Sequence, residues 1–262
     1  MRTDSSPPVR DRFRLDGQVA IVTGAARGLG QAIAVALASA GADLALVDIV
    51  SVEETTERVR QLGRRCHTTM ADLKELDPSA AKTIVAGVAE AIGKPRILVN
   101  NAGIIHREPA LDHGWEAWRD VLAIDLSAAF LLSQVVARGL VEREAPGKIV
   151  NVVSMLSFQG GYLVPSYTAA KSGLAGLTRA LANEWAQHGI NVNAIAPGYM
   201  ATELTSMLRS DPERANAMLG RIPAGRWGQP EDIQGAIVFL CSDAADYVHG
   251  AVLPIDGGWL SW

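Results

Sequence analysis

The sequence predicts a single-domain α/β protein: a doubly wound parallel sheet of about seven strands with helices on both faces. Three observations indicate this fold. Short β-branched runs alternate with longer amphipathic stretches, as in repeated β-α-β units. The run RILVN at 96–100 is almost wholly apolar, as expected for a strand covered by helices on both sides. A glycine-rich turn, TGAARGLG at 23–30, directly follows the first run.

The elements follow in a regular order. QVAIVT at 18–23 predicts the first strand, and the glycine turn opens an alanine-rich helix that ends at Ala40. The other strands are predicted at 43–48, 66–70, 96–100, 148–153, 190–195 and 251–255. The other helices are predicted at about 52–62, 79–92, 115–144, 166–188 and 231–242. Only 198–228 breaks the alternation. It carries Pro212, Pro223 and several glycines, which predicts a mobile segment over a binding cleft.

Composition narrows the class of protein. A chain of 262 residues with 48% hydrophobic and 20% charged residues can bury a substantial core. The net charge is -4 and Lys and Arg form no run, so no nucleic-acid or anionic-membrane partner is expected. No 18 apolar residues run without a charge, so no spanning helix is expected. Only two cysteines and no secretory signal predict a cytoplasmic protein without disulfides. Residues 1–14 are expected to form a flexible tail and 15–262 the domain.

The glycine turn predicts a dinucleotide site of the Rossmann type. Gly24, Gly28 and Gly30 allow close approach of a pyrophosphate, and the helix amino terminus supplies free N–H donors. Asp48 ends the second strand, where a carboxylate can accept hydrogen bonds from the adenosine ribose hydroxyls. A 2'-phosphate at about 5 Å from it would cost roughly 3 kcal/mol per unit charge pair, which favours NAD over NADP. Arg27 favours the opposite choice, because a guanidinium can accept that phosphate.

A second group of residues predicts proton transfer. Tyr167 and Lys171 are four residues apart in a predicted helix, so they share one face. An ammonium about 5 Å from the phenol favours the phenolate by roughly 3 kcal/mol, while burial opposes it. Ser154 follows the fifth strand at the carboxyl edge of the sheet, where its hydroxyl can orient a substrate oxygen. Together these residues indicate a general acid/base for an alcohol or ketone.

These motifs, with NNAG at 100–103 and PGYMAT at 197–202, resemble those of the short-chain dehydrogenase/reductase family. The resemblance runs from about Leu15 to the end of the chain. It implies hydride transfer between nicotinamide and a carbonyl or secondary alcohol, and a homotetramer. It also implies Tyr167 as general acid/base, Lys171 as the residue that tunes it and holds the nicotinamide ribose, and Ser154 as the substrate-oxygen ligand.

The same resemblance extends the cofactor site. Asp72 and Leu73 are implied as the adenine contact, 101–103 as the cofactor floor, and 197–202 as the nicotinamide carboxamide site. The full predicted set for NAD is Gly24, Arg27, Gly28, Leu29, Gly30, Asp48, Asp72, Leu73, Asn101, Ala102, Gly103, Tyr167, Lys171, Pro197, Gly198, Met200 and Thr202.

Asp125 departs from the family pattern, which has a catalytic asparagine at this place. A role through its backbone carbonyl, holding a water beside Lys171, would tolerate an aspartate. A role of the side-chain amide would not. The extra carboxylate is expected to raise the pKa of Lys171 and Tyr167, which predicts retained activity with an alkaline optimum for oxidation.

Longer strings, among them SMLSFQGGYLVPSYTAAKSG and RIPAGRWG, resemble family members that act on deoxy or keto sugar acids. Ser154, Gln159 and Arg107 are the predicted substrate contacts, with Arg107 pairing a carboxylate. A surface ion pair of Arg107 with Glu108 or another acid is an equally supported alternative. His106 is interpreted as a polar surface residue, and no metal site is predicted. A 3-oxoacyl-carrier-protein reductase, a dehydrogenase of another polyol or secondary alcohol, and a non-catalytic nicotinamide-binding protein stay open.

Overall fold

The computed structural model describes residues 8–261, in which seven strands form one parallel sheet. The strands are β1 Val19–Thr23, β2 Asp43–Asp48, β3 Cys66–Met70, β4 Ile97–Asn100, β5 Gly147–Val152, β6 Ile190–Pro197 and β7 Val252–Ile255. Their order is β3-β2-β1-β4-β5-β6-β7. The chain therefore builds the sheet outward from β1 in one direction and then from β4 in the other, so that the order reverses between β1 and β4. The predicted doubly wound sheet is confirmed.

The helices connect these strands. They are α1 Gly28–Ser39, α2 Glu53–Gln61, α3 Pro78–Ala91, α4 Trp115–Leu122, α5 Ala128–Glu142, α6 Pro165–Trp185, α7 Ser206–Arg209, α8 Pro212–Leu219 and α9 Gln234–Cys241. α3 begins where Asp77 accepts a hydrogen bond from the Ala80 amide at 2.7 Å and Pro78 occupies the first turn, a common start for a helix.

Two apolar layers flank the sheet. On one face, Ile33 and Leu37 of α1 and Leu240 of α9 pack with Val22 and Val99 of the strands. On the other face, helices α3 and α5 pack against the alternate strand residues, with Ile84, Val88, Leu132 and Leu140 among the buried side chains. β1, β4, β5 and β6 are buried along their whole length. Burial on both faces explains why their sequences read as continuous apolar runs.

The long predicted helix at 115–144 contains a π turn. α4 and α5 are joined by one π-helical turn, Ala123–Ser127. The helical run Trp115–Glu142 is long and apolar enough to cross a membrane by length and composition alone, although no uncharged run of 18 residues was found in the sequence. Within this fold, Leu132, Val136 and Leu140 of α5 belong to the buried core.

Two segments differ from the predicted tail and loop. Residues 1–7 of the expected tail lie outside the described residues. Val9–Phe13 form a 3-10 turn, in which Arg12 donates to the Asp243 carbonyl at 2.6 Å and the Phe13 ring lies 6.3 Å from that of Phe239. In the segment at 198–228, the short helices α7 and α8 were not predicted. The mobility of this segment stays a prediction.

Candidate active site

The glycine turn after β1 adopts a backbone that requires glycine. Gly24 has φ +65°, and a Cβ there would lie 2.8 Å from the Ala102 Cα atom. A Cβ on Gly30 would lie 1.9 Å from the Gly24 carbonyl oxygen. Gly28 has φ +57°, and the nearest atom to its Cβ position is Thr202 Cγ2 at 3.7 Å. There is therefore no room for a side chain at Gly24 or Gly30, where the turn packs closely. Gly28 has open space beside it at the start of α1.

Asn101 and Thr23 hold this turn in place. The Asn101 side-chain amide donates to the Thr23 and Gly24 carbonyls at 2.9 and 3.0 Å. The Thr23 hydroxyl accepts from the Asn101 and Ala102 amides, both at 3.0 Å. The side chain of Asn101, a residue predicted as part of the cofactor floor, thus stabilises the glycine turn. These bonds join the ends of β1 and β4, at the point where the strand order reverses and ligands of such sheets bind.

The start of α1 fits a dinucleotide pyrophosphate. Its N-cap residue, Arg27, makes no side-chain hydrogen bond to the helix amides. The first N–H groups of the helix therefore have no capping side chain, and they carry the positive end of the helix dipole. The closed glycine turn allows an anion to approach these donors, so the residues present fit the cofactor that the sequence predicts.

Asp48 and Arg27 take different positions beside this turn. The Asp48 carboxylate accepts from the Ala26 amide at 2.9 Å and from the Val50 amide at 3.2 Å, which fixes it at the end of β2. Arg27 pairs with Glu203 at 2.9 Å, and both side chains are largely exposed. No sequence motif marks Glu203 as a partner of Arg27. Its carboxylate neutralises the group that could have recognised a 2'-phosphate.

Tyr167 and Lys171 lie together on the first turns of α6. The Lys171 ammonium lies 5.6 Å from the Tyr167 ring centroid and donates to the Val152 carbonyl at 3.0 Å. Only 3% of Lys171 is exposed. Pro165 begins this helix, and its fixed φ suits the first position. The predicted spacing therefore does bring the ammonium and the phenol to one face.

Ser154 lies at the end of the strand beside them. Its hydroxyl accepts from the Leu156 amide at 3.1 Å and caps the 3-10 turn Met155–Ser157. Ser157, which the sequence analysis did not single out, donates to the Lys171 carbonyl at 2.8 Å. This bond joins the turn after β5 to α6. The structure thus brings the predicted serine, tyrosine and lysine into one site.

Asp125 enters the site through its side chain. It lies in the π turn, is 1% exposed, and accepts from the Ile104 amide at 2.8 Å. Its other oxygen lies 3.2 Å from Lys171 Nζ. A Cβ on Gly103 would lie 2.7 Å from that oxygen and 3.2 Å from the ammonium, so glycine at this position leaves room for the ion pair. The carboxylate itself contacts Lys171, the arrangement in which an extra carboxylate raises the pKa of Lys171 and Tyr167 as the sequence predicts.

The ionisation of these groups is coupled. Burial raises the pKa of Tyr167, Lys171 lowers it, Asp125 raises it, and a hydrogen bond from Ser154 lowers it, with a net rise. Burial lowers the pKa of Lys171, but Asp125 and Tyr167 outweigh this and raise it. Burial also raises the pKa of Asp125, against the attraction of Lys171. Lys171 alone would have lowered the Tyr167 pKa, and burial with Asp125 reverses that direction.

Aromatic and cationic side chains lie beyond the end of β6. The ring of Tyr199 lies 4.9 Å from that of Trp259 and 5.5 Å from that of Trp227, edge to face in both cases. Arg221 stacks over Trp259 at 4.1 Å. Burial raises the pKa of Tyr199, and the charges of Arg221 and Arg107 oppose the rise. These four residues are spread over about 60 residues of chain, so no local sequence pattern marks them as a group.

Arg107 is an exposed residue in the loop after β4. Its charge lowers the pKa of Tyr167 as well as that of Tyr199. Glu108, the alternative partner considered from sequence, lies 3.2 Å from His106 Nε2. Gln159 is half-buried in the loop after β5. Its role and that of Arg107 stay predictions.

The side chains of three predicted cofactor contacts are engaged within the protein itself. Leu73 is 7% exposed and Met200 is 4% exposed, and both side chains pack in the core. Asp72 caps the 3-10 turn Leu73–Glu75 by accepting from the Lys74 amide at 2.9 Å. Any contact of Leu73 or Met200 with a dinucleotide is therefore expected through the backbone.

A buried polar network connects the layers behind the site. The Asn100 amide donates to Asn151 at 2.8 Å and to Ser133 at 3.0 Å, and the Asn151 amide donates to Thr178 at 2.9 Å. These bonds join β4, β5, α5 and α6. The motif NNAG contained Asn100, but no sequence signal indicated its partners on the other elements.

Known proteins resemble this chain over nearly its whole length. A family model described as enoyl-(acyl carrier protein) reductase matches residues 24–260. The 2-dehydro-3-deoxy-D-gluconate 5-dehydrogenase of Dickeya dadantii is 53% identical, and the alignment covers 97% of this chain and 99% of that protein. The protein of the same name from Escherichia coli is also 53% identical, with coverage of 95% and 98%.

Solved structures of similar proteins have the same fold. A crystal structure from Agrobacterium tumefaciens, assigned as a 2-deoxy-D-gluconate 3-dehydrogenase with bound NADP, is 51% identical with a TM-score of 0.90, covering 96% of this chain and 99% of that one. A gluconate 5-dehydrogenase from Burkholderia cenocepacia in complex with NADP and tartrate is 36% identical with a TM-score of 0.90, covering 96% and 98%. The chain therefore belongs to the short-chain dehydrogenase/reductase family.

Proposed function

We propose that this protein is an NAD-dependent oxidoreductase that acts on the secondary alcohol or ketone of a deoxy or keto sugar acid. The observation that carries the proposal is the joint placement of Ser154, Tyr167 and Lys171 beside the glycine turn. Substrates of the type 2-dehydro-3-deoxy-D-gluconate or 2-deoxy-D-gluconate are supported by the names of the relatives.

The proposed chemistry follows from the site. A bound nicotinamide would supply or accept the hydride. In oxidation, the Tyr167 phenolate takes the proton of the substrate hydroxyl as the adjacent carbon loses hydride; in reduction, the phenol returns that proton. Ser154 donates to the substrate oxygen and orients it. Lys171 stabilises the phenolate, and Asp125 holds the ammonium and sets its charge state.

An acidic substrate fits the charges around the cleft. We infer that Arg107, whose charge lowers the pKa of both Tyr167 and Tyr199, pairs with the substrate carboxylate. The tartrate in the Burkholderia cenocepacia complex is a hydroxy acid. An Arg107→Gln variant is expected to raise KM for an acid substrate, while a neutral polyol should be used equally well by both proteins.

The choice of NAD depends on two carboxylates. Asp48 is fixed by backbone amides where a 2'-phosphate would lie, and Glu203 neutralises Arg27. The relatives from Agrobacterium tumefaciens and Burkholderia cenocepacia were crystallised with NADP, so the choice needs a direct test. We expect higher kcat/KM with NAD, and we expect Asp48→Asn to reduce the ratio of NAD to NADP activity. Higher kcat/KM with NADP in the unchanged protein would overturn this part.

The decisive experiment is an absorbance assay of the purified protein with each cofactor. The substrate panel contains deoxy and keto sugar acids, neutral polyols and acetoacetyl thioesters. Turnover of the sugar acids with NAD supports the proposal. Turnover of thioesters alone, with NADPH, would indicate a carrier-protein reductase instead. Cofactor binding without turnover of any class would indicate a non-catalytic protein.

A homotetramer is also proposed. Trp115 of α4 and Phe130 and Val141 of α5 are exposed apolar side chains, at 72%, 37% and 39% of their full accessibility. Such side chains on two consecutive helices favour an interface between copies of the chain. Sedimentation equilibrium of the purified protein should give four chains per particle, and a monomer at assay concentration would contradict it.

A further inference from the structure

The loop between β4 and α4 gathers three metal-binding side chains. His106, Glu108 and His113 each present one ligand atom, and these atoms lie within 4.8 Å of one another. His106 Nε2 lies 3.2 Å from Glu108 Oε2, and the two imidazole centroids are 5.3 Å apart at 72°. None of these residues belongs to the dehydrogenase machinery described above.

His113 lacks the partners that a buried imidazole normally has. Both of its ring nitrogens are buried, and neither has a hydrogen bond within residues 8–261. Its neighbours are the edges or faces of two aromatic rings, His106 and Trp118, the latter at 6.4 Å and 85°. Burying a polar nitrogen without a partner is costly, so each such group calls for an explanation. A metal ion bonded to one nitrogen would supply the missing partner.

We propose that His106, Glu108 and His113 bind a divalent transition-metal ion, for which zinc is the best match. Two imidazoles and one carboxylate form a borderline nitrogen and oxygen donor set that suits zinc, with the fourth position open. Zinc bonds of about 2.0–2.1 Å place tetrahedral ligand atoms about 3.3 Å apart. The contact between His106 and Glu108 already has this separation, so His113 is the side chain that would move inward.

The surroundings orient the carboxylate. The Gly114 amide donates to Glu108 Oε2 at 3.1 Å, and the Glu108 amide donates to the Leu163 carbonyl at 2.8 Å. Such outer contacts fix the geometry of a metal ligand. His106 and Glu108 contact each other, whereas Arg107 between them acts on Tyr167 and Tyr199. The metal would therefore fasten the loop at 106–113 on the side away from the reacting groups.

Zinc titration of the full-length, tag-free protein tests the site. After dialysis against a chelator, calorimetry and elemental analysis should show one zinc per chain. His113→Ala and His106→Gln should each weaken zinc binding by about 100-fold. The matched control is His188→Gln, an exposed histidine outside the loop, which should bind zinc like the unchanged protein.

Thermal melts provide a second measurement that does not depend on enzyme activity. Zinc should raise the Tm of the unchanged protein and of His188→Gln, but not that of His113→Ala. Circular dichroism at low temperature verifies that each variant is folded. Absence of stoichiometric zinc, or equal zinc affinity in His106→Gln, His113→Ala and the unchanged protein, would overturn the proposal.

Discussion

A buried carboxylate beside the lysine is the residue that most distinguishes this site. Asp125 contacts Lys171 at 3.2 Å and receives a hydrogen bond from Ile104. Asp125 therefore partly opposes the lowering of the Tyr167 pKa by Lys171. A lysine beside a tyrosine lowers the phenol pKa, and a carboxylate beside both raises it. The chemistry of the pair thus depends on a third group, contributed by a different helix.

Replacing Asp125 by asparagine should move the pH profile of oxidation. The phenolate is the active form in this direction, so the rate rises as pH passes the pKa of Tyr167. Asp125 raises that pKa, and its removal should lower it. The rising limb of kcat/KM in Asp125→Asn should therefore lie at lower pH, with activity retained. An unchanged profile would contradict the electrostatic role. Asp120→Asn, at a half-buried position of α4 where the carboxylate pairs with Lys74 and Arg119, is the control.

Tyr167→Phe should separate catalysis from binding. The variant loses the hydroxyl that exchanges the proton, a contribution of about 10²–10⁴-fold in rate. The glycine turn and α1 are untouched, so fluorescence titration should give nearly the same NAD affinity. Turnover close to that of the unchanged protein would exclude Tyr167 as the acid/base.

Single residues also show where sequence reasoning succeeded. Tyr167 and Lys171 lie on one helix, so their spacing was sufficient to predict that they face each other. Glu203 lies about 175 residues after Arg27, and nothing local marks it as a partner. The position of Asp125 was singled out, but its contact with Lys171 depends on the π turn, which the sequence did not indicate.

At the scale of elements, the strand-to-helix turn after β1 should tolerate no side chain at Gly30. An added methyl would collide with the Gly24 carbonyl oxygen at 1.9 Å. Gly30→Ala is expected to lower the free energy of unfolding by about 1–3 kcal/mol and to weaken NAD binding. Gly87 of α3 has no atom within 4 Å of its Cβ position, so Gly87→Ala should raise the free energy of unfolding by about 0.5–1 kcal/mol. Urea unfolding measures both variants, and equal stability of the two would refute the steric argument.

The contact between the glycine turn and the 3-10 turn Glu203–Thr205 bears on cofactor choice. Glu203→Gln frees Arg27 for a 2'-phosphate while leaving the fold intact. Because an exposed ion pair contributes up to about 1 kcal/mol, the ratio of NADP to NAD kcat/KM should rise about 2- to 5-fold. Glu213→Gln, on the exposed start of α8, is the control and should leave the ratio unchanged. A lower ratio in Glu203→Gln would mean that Arg27 plays no part in phosphate recognition.

The regular strands were largely predictable from the sequence, whereas α8 and the π turn were not. All seven predicted strands coincide with observed ones within about two residues, and for β1, β4, β5 and β6 burial on both faces explains the continuous apolar runs. α8 was not predicted, because Pro212 was interpreted as part of a mobile segment. It instead occupies the first turn, behind Asp211, whose side chain accepts from two helix amides. The π turn lies within the continuous helical run Trp115–Glu142, so the sequence pattern does not distinguish it from the helices on either side.

For the molecule as a whole, the two halves of the sheet contribute different parts of one site. The half from β1 to β3 supplies the glycine turn and Asp48, while the half from β4 to β7 supplies Ser154, the tyrosine and the lysine. The parts meet where the strand order reverses between β1 and β4. No division of the chain leaves a complete site on one side, which supports the proposal that 15–262 act as one domain.

The segment carrying α7 and α8 should become ordered by the cofactor. No described side chain at 203–219 is fully buried, and its contacts with the rest of the described chain include the exposed pair of Glu203 with Arg27 and the packing of Met218 against Met155 and Trp259, while Thr202 lies beside Gly28. Amides at 203–219 should therefore exchange hydrogen quickly in the free protein. A dinucleotide bound between the glycine turn and Thr202 would add contacts to this segment, so exchange there should slow markedly with NAD. Amides of α9, which packs against α1 in the core, serve as the internal control and should change little. Equal exchange at 203–219 with and without NAD would contradict a segment that closes over the cleft.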